Sequence, residues 1–452
     1  MLIPTVLIGL VIAATITVAL INHRDTFHPA LMIGPMLAFH YCYSPLMLEA
    51  NDGFYGYLWD FQVERAQWVH FVGVLALCVS LLWGSSRTVA TRQLPPEDYD
   101  ARFDPTKLVR GSIVLGCLGI ASFVYGINYV GGFSQAYGNA YGGGGAESGW
   151  VRDLILLCLP ALLLLTVSAR GKRLRWRELA LVLLFASPFL IHGFLGGRRG
   201  PTFMGLVGPT MLFYMARGKR PNLLTLGLGG AVLGTLLLAI VANRQSLYWG
   251  SDLDLEHSPS NYFTPSSGND FIYGAGLVIV TDEAQNFSWG TTYLVTLLVR
   301  PIPRAIWPTK YEDAAIFLNR ATLEENLGID IKSFQSILGW TAARGAAPGI
   351  VGDMWREFSW AMTIALLGIG WFYGYAWRRA VTDRGNWVPT YCLLASLSIY
   401  LVMQTLEAML YRFLFALIPM LLVLRYAKRE LPRSMIAVNG HRPVSKELTR
   451  PA

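Results

Sequence analysis

LLTLGLGGAVLGTLLLAIVAN, from Leu223 to Asn243, carries no charged residue over its whole length. A helix of about 20 apolar residues crosses the hydrocarbon core of a bilayer, and this stretch has that length and character. Ten comparable apolar runs accompany it, near Leu2–Ile21, Pro29–Leu48, Ala66–Gly84, Leu108–Val130, Val151–Ala169, Leu179–Leu195, Pro201–Ala216, Phe358–Trp377, Trp387–Thr405 and Leu410–Tyr426. The 452 residues are 53% hydrophobic and only 15% charged, against about 25% charged residues in soluble domains. A membrane β-barrel would instead show short alternating segments. The expected fold is all-α and polytopic, with about eleven transmembrane helices. Residues 1–243 hold the first eight, 244–357 form one long loop, 358–427 hold the last three, and 428–452 form a polar tail.

Basic residues set the orientation. Arg170, Lys172, Arg173, Arg175 and Arg177 crowd one loop; Arg217, Lys219 and Arg220 mark a second, and Arg378, Arg379 and Arg384 a third. If eleven spans alternate, all of them share a side with Arg425, Lys428, Arg429 and Arg433. Short cytoplasmic loops carry the excess of Lys and Arg. The N-terminus is then expected outside and the C-terminus in the cytoplasm. The net charge of +8 is accounted for by these loops and calls for no nucleic acid. The first run lacks a basic leader and a small-residue cleavage site, so it reads as a retained helix. Cys42, Cys78, Cys117, Cys158 and Cys392 all fall in apolar runs without a CxxC partner, and are expected to be small buried hydrophobes, with no metal site.

The chemistry is expected on the outer face. Thr291–Asp313, TTYLVTLLVRPIPRAIWPTKYED, is the centre of the long loop. Arg300, Arg304 and Lys310 alternate there with Pro301, Pro303 and Pro308. Proline fixes φ and disfavours helix in the residue before it, so the cations sit on a stiff path. Trp307 suits the membrane–water interface. The sixth run ends in HGFLGGRRGPTF, His192–Phe203. Arg198 and Arg199 lie there at an outer end, where the orientation rule disfavours cations. Gly196, Gly197 and Gly200 leave the backbone open, so amides and guanidinium forks can converge on phosphate oxygens. APGIVGDMWREFSW brings Asp353, Arg356 and Glu357 to the mouth of the ninth run, and Glu407, Tyr411 and Arg412 lie between the last two runs. Asp282 and Glu283 precede the central stretch. The segment Gly131–Gly149, with eight glycines plus Phe133, Tyr137 and Tyr141, reads as an aromatic-bearing flap. The span 314–326 has helical spacing.

GGRRG after an apolar run, then IPRAIWPTK, then PGIVGDMWREF entering a late run, resemble the oligosaccharide repeat-unit polymerases of the Wzy type, which build O-antigen and exopolysaccharide. The likeness covers about Gly196 to Phe372. Trp355 stands where that family usually has tyrosine, and Ser359 and Trp360 follow Phe358 where glycine is common. The resemblance implies a GT-C-like membrane enzyme of the bacterial inner membrane. It implies polymerisation of undecaprenyl-pyrophosphate-linked glycan, as donor and acceptor, on the periplasmic face, without metal or other cofactor. Membrane lipid and a chain-length regulator are the partners expected. On that footing Arg198, Arg199, Arg300, Arg304, Lys310 and Arg356 would bind the pyrophosphate. Asp353, Glu283 and Glu407, in that order, are the candidate bases. An O-antigen ligase is the first alternative; such ligases usually carry a histidine in the large loop, where this chain has only His257. A lipid-linked-sugar flippase or polysaccharide exporter is the second. No repeat relates the two halves, and the cations gather at one face instead of along a path, which disfavours transport. Arg199→Ala and Arg304→Ala are expected to insert normally and stop chain growth.

Overall fold

The computed structural model describes residues 1–51, 53–86, 102–139, 142–143, 149–168, 175–243, 246–251, 262–266, 268–303, 306–317, 331–341 and 346–429. Among them every regular element is helical; the one β contact is an isolated bridge between Phe103 and Lys428. Eight helices are long and apolar enough to cross a membrane: Leu2–His23, Pro29–Ala50, Asp60–Ser85, Pro105–Tyr129, Val151–Ser168, Trp176–Phe194, Leu223–Ala242 and Leu406–Ala427. They occupy eight of the expected runs. The other three runs are also helical, in Arg199–Ala216, Met362–Thr382 and Trp387–Met403, but these are shorter or less apolar.

The sequence marks its own helix starts. Asp104 caps the helix that begins with Pro105, accepting from the Thr106 amide at 2.9 Å. Proline at that position sacrifices a donor that has no helical partner anyway. His28 caps Pro29 in the same way through Nδ1, and Asn222 accepts from the Thr225 amide at 2.6 Å.

Burial sorts the helices into centre and periphery. Every residue from Cys158 to Ser168 and from Val388 to Met403 is buried. These short segments are apolar on all sides because protein surrounds them. Leu223–Ala242 buries only Ile240, leaving Leu224, Leu228 and Val232 60–71% exposed. So apolar a face needs lipid against it. Cys78, Cys158 and Cys392 are buried as expected, whereas Cys42 is half-buried and Cys117 is exposed.

Asp60–Ser85 and Met362–Thr382 approach closely through glycine. A Cβ on Gly84 would meet the Trp371 carbonyl at 2.2 Å, and one on Gly370 would meet Ser80 Oγ at 2.1 Å. Small residues at helix crossings are how membrane helices gain packing contact when lipid is as apolar as leucine.

The long loop differs from its expected form. It contains a helix, Asp270–Ala284, that is buried from Asp270 to Thr281. Asn269 caps it by accepting from the Phe271 amide at 2.9 Å. It lies between Asp60–Ser85 and a second short helix, Gly349–Phe358. With 15 residues it is too short to span, and its apolar surface is consumed by protein. The expected ninth run is preceded by a separate helix: Gly349–Phe358 ends at Ser359, whose φ is 50°, and the long helix starts at Met362. Helix forms at Lys310–Phe317; the remainder of 314–326 and the tail from 430 lie outside the described residues.

Ion pairs gather at the two ends of the bundle. At one end Arg220 grips Asp25 at 2.6 and 3.1 Å, Arg102 donates to the Asp383 carbonyl at 2.7 Å, and Arg429 faces Asp104. The opposite end holds the candidate site. Gly84→Val is expected to lower the detergent-solubilised protein's stability by about 1–3 kcal/mol, the usual cost of overpacking. Gly227→Val is the matched control, because nothing lies within 4 Å of its Cβ position. Melting of both variants, followed by circular dichroism, checks the difference.

Candidate active site at the arginine-rich end

The turn between Trp176–Phe194 and Arg199–Ala216 builds the first wall. Gly197 takes φ 60°, and the Arg198 amide returns to the Gly193 carbonyl at 2.8 Å. This directs the Arg198 guanidinium onto His192 Nε2 at 3.0 Å. Arginine can only donate, so Nε2 is the unprotonated nitrogen. His192 is therefore neutral, with its proton on Nδ1, 3.3 Å from the Tyr137 hydroxyl. Tyr137 closes a short helix, Phe133–Tyr137, and is buried. The aromatic flap is thus docked, at this residue, on the arginine turn; Tyr141 lies outside the described residues.

Arg152 and Arg412 are further charged neighbours of the same imidazole. Arg412 lies 4.3 Å from the centroid of the Tyr400 ring and donates to the Ala408 carbonyl at 2.6 Å. Arg300 lies 4.1 Å from the Tyr411 ring centroid and 3.6 Å from the Asp153 carboxylate, which also accepts from the Tyr411 hydroxyl at 2.7 Å. Arg152, Arg198, Arg300 and Arg412 thus form a connected group threaded by His192, Tyr400 and Tyr411. Asp153 is the carboxylate within it among the described residues. Burial, and then Arg152, lower the affinity of Arg198 for its proton. Both effects penalise positive charge there, and an anion would relieve both.

Other predicted residues are committed elsewhere. Arg199 forms an ion pair with Asp270, both side chains being largely buried. The Asp270 carboxylate also accepts from the Tyr262 hydroxyl at 3.2 Å and the Ala347 amide at 3.2 Å. Arg199 therefore fastens the buried loop helix to the bundle. Lys310 directs its ammonium to the carbonyls of Val299, Arg300 and Ile302 at 3.3, 3.0 and 2.6 Å. It braces the proline-rich turn from within. Arg304 lies outside the described residues, as does His257.

Arg356 is buried between two buried carboxylates, Asp353 at 3.0 Å and Glu357 at 2.9 Å. Their remaining oxygens are also taken. Asp353 accepts from the Tyr293 hydroxyl at 2.8 Å and the Leu406 amide at 2.9 Å. Glu357 accepts from the Gly290 amide at 3.0 Å. Burial pushes the Asp353 carboxyl up to about 7 against the pull of Arg356, a value suited to a general base. Its geometry is not suited: both oxygens already hold protein donors, and the side chain is 0% exposed. This triad ties the central loop and the last helix to Gly349–Phe358.

Of the other candidate bases, Glu283 is exposed at the end of Asp270–Ala284, on the side where Asp282 pairs with Arg65. Glu407 is partly buried near Thr296, with Arg356 and Arg300 as its charged neighbours of opposite sign. It is the predicted carboxylate that borders the arginine group. No motif in the sequence gives His192 or Arg152 a role. Both lie at the ends of apolar runs, as Arg198 does, and that position is the signal available for them.

Comparison of the chain with family models, with characterised proteins and with solved structures finds no match.

Removing one partner of a buried ion pair costs roughly 3–5 kcal/mol, because the other charge stays buried. Asp353→Ala, Glu357→Ala and Asp270→Ala are therefore expected to melt earlier and to reduce folded yield. If Asp353→Ala kept the wild-type melting temperature and lost only activity, its assignment as the base would be restored.

Proposed function

We propose that this protein is a membrane glycosyltransferase that polymerises polyprenyl-pyrophosphate-linked oligosaccharide units into a surface glycan, at the outer face of a bacterial inner membrane. The reading includes eleven spans, an outer N-terminus and a cytoplasmic C-terminus. Its single strongest support is the group of four arginines at one end of the bundle, with Asp153 beside Arg300 as the carboxylate within it among the described residues.

The chemistry follows from that charge. A polyprenyl pyrophosphate leaves as the bond from its oxygen to the anomeric carbon breaks, and the electron pair goes to the diphosphate. Guanidinium groups placed there in advance stabilise the charge as it develops, more than they stabilise the intact donor. A hydroxyl oxygen of the acceptor glycan forms the new bond to the anomeric carbon. Its proton passes to a base, for which Glu407 is the candidate beside Arg300. The apolar helices around the site would hold the two lipid tails. Arg198, Arg300, Arg412 and Arg152 carry the diphosphate on this reading, with Arg199, Arg356 and Lys310 as scaffold.

A ligase that moves finished glycan onto another acceptor is the second reading, and His192 favours it: a neutral imidazole sits inside the arginine group. Export is less well supported, because the cluster lies at one end of the bundle instead of along a path through it.

Arg198→Ala and Arg412→Ala are each expected to reduce polymer formation about 10²–10³-fold, the usual loss for one oxyanion-type donor, with melting unchanged. Gel analysis of surface glycan from cells carrying each variant checks this. Single repeat units mark a polymerase, unattached full-length polymer marks a ligase, and lipid-linked sugar trapped in the cytoplasm marks a flippase. Full-length, attached polymer in both variants would remove the arginine argument.

A further inference from the structure

Gly349–Phe358 presents a second chemistry on its other side. Trp355 follows Asp353 by two residues, about 200° around a helix of 3.6 residues per turn, and it faces away from the carboxylate triad. There it walls a cleft of about 470 Å³ together with Phe61, Arg65, Trp68, Asp282 and Trp360. Three of these rings are strongly exposed for their type: Phe61 at 67%, Trp360 at 58% and Trp68 at 40%. Trp355 itself is 2% exposed and meets Trp360 edge-on, with ring centroids 5.0 Å apart. Its indole N–H is buried and meets no acceptor among the described residues. A buried donor without a partner costs free energy comparable to a lost hydrogen bond, so an acceptor supplied by a ligand would be favoured.

The charges of this cleft are satisfied among themselves, unlike those of the arginine site. Arg65 is already paired with Asp282, and the Glu64 carboxylate in the lining lies 3.6 Å from the N-terminal ammonium. Phosphate is disfavoured there. An acyl chain is equally ill suited, because it would bury an ion pair and leave the indole N–H unanswered. A pyranose matches both halves of the lining: its C–H face stacks on aromatic rings, and its hydroxyls both donate to carboxylates and accept from the indole N–H and the guanidinium.

We infer that this cleft, bounded by Trp68, Trp355, Trp360 and the Arg65–Asp282 pair, is a binding site for the sugar portion of a glycan, neutral or amino-bearing, separate from the diphosphate site. The inference rests on the proposed function for its choice of glycan and gives the saccharide chain a seat of its own. The helix Gly349–Phe358 carries the ion triad on one side and the indole on the other.

The test uses full-length protein in phosphatidylcholine nanodiscs and oligosaccharide released by mild acid from the host cell's own surface glycan. Saturation-transfer NMR is expected to show transfer to sugar-ring protons. Trp68→Ala and Trp360→Ala, both at exposed positions, are expected to weaken binding at least fivefold. Trp355→Phe keeps the ring and removes the N–H, and is expected to weaken it about threefold. Arg198→Ala is expected to bind like wild type. The inference is overturned if wild type shows no transfer, or if all variants bind equally. It is also overturned if native mass spectrometry finds retained phospholipid that Trp68→Ala releases while sugar transfer stays unchanged. Sugar binding with this pattern in a protein whose deletion leaves polymer length intact would sink the polymerase reading and keep the cleft.

Discussion

A charge taken out of water must find its opposite within the protein, and this constraint organises the whole bundle. Arg356 is its clearest case. Held between Asp353 and Glu357 with almost no exposure, it would cost several kcal/mol if either carboxylate were absent. The carboxylates in turn use their free oxygens on Tyr293, Gly290 and Leu406. One buried cation thereby fixes three separate parts of the chain: the central loop, the short helix Gly349–Phe358 and the start of the last helix. Arg199 with Asp270 does the same for the buried loop helix.

Against that background the group around His192 differs. Arg198 donates to a neutral imidazole and Arg412 lies against the Tyr400 ring, while Asp153 serves Arg300. Cation–π contact and a neutral acceptor soften the repulsion between Arg198 and Arg412, but they do not neutralise it. The end of the bundle that holds this group is suited to receive an anion, while the triad and the Arg199 pair keep its walls in place. The aromatic cleft beyond Trp355 has a different balance, with paired charges and ring faces. A cationic site and an aromatic one match a molecule that has a charged end and a hydroxyl-rich end.

Much of the architecture could be read from residues alone. Each expected apolar run is a helix, since a chain in lipid satisfies its backbone most simply within one segment. What escaped was the helix Asp270–Ala284 inside the supposed loop. Its run from Phe271 to Val280 is too short to signal a span, and its burial on all sides erases the amphipathic period that would mark a surface helix. The boundary at Phe358 was legible, because charged residues precede it and apolar ones follow. That a separate buried helix, Gly349–Phe358, leads up to it was not.

The amino-acid order by itself determined that this is a multi-pass membrane protein and that cations cluster at the ends of apolar runs, because hydropathy and loop charge are local, additive properties. It also marked GGRRG as a place where two arginines meet an open backbone. Only the tertiary structure decided between those two arginines. Adjacent side chains near a helix start point about 100° apart, so one met Asp270, 71 residues away in the chain, and the other met His192. Whether a cation is scaffold or binding group depends on which distant carboxylate folds against it, and nothing in the neighbouring residues encodes that.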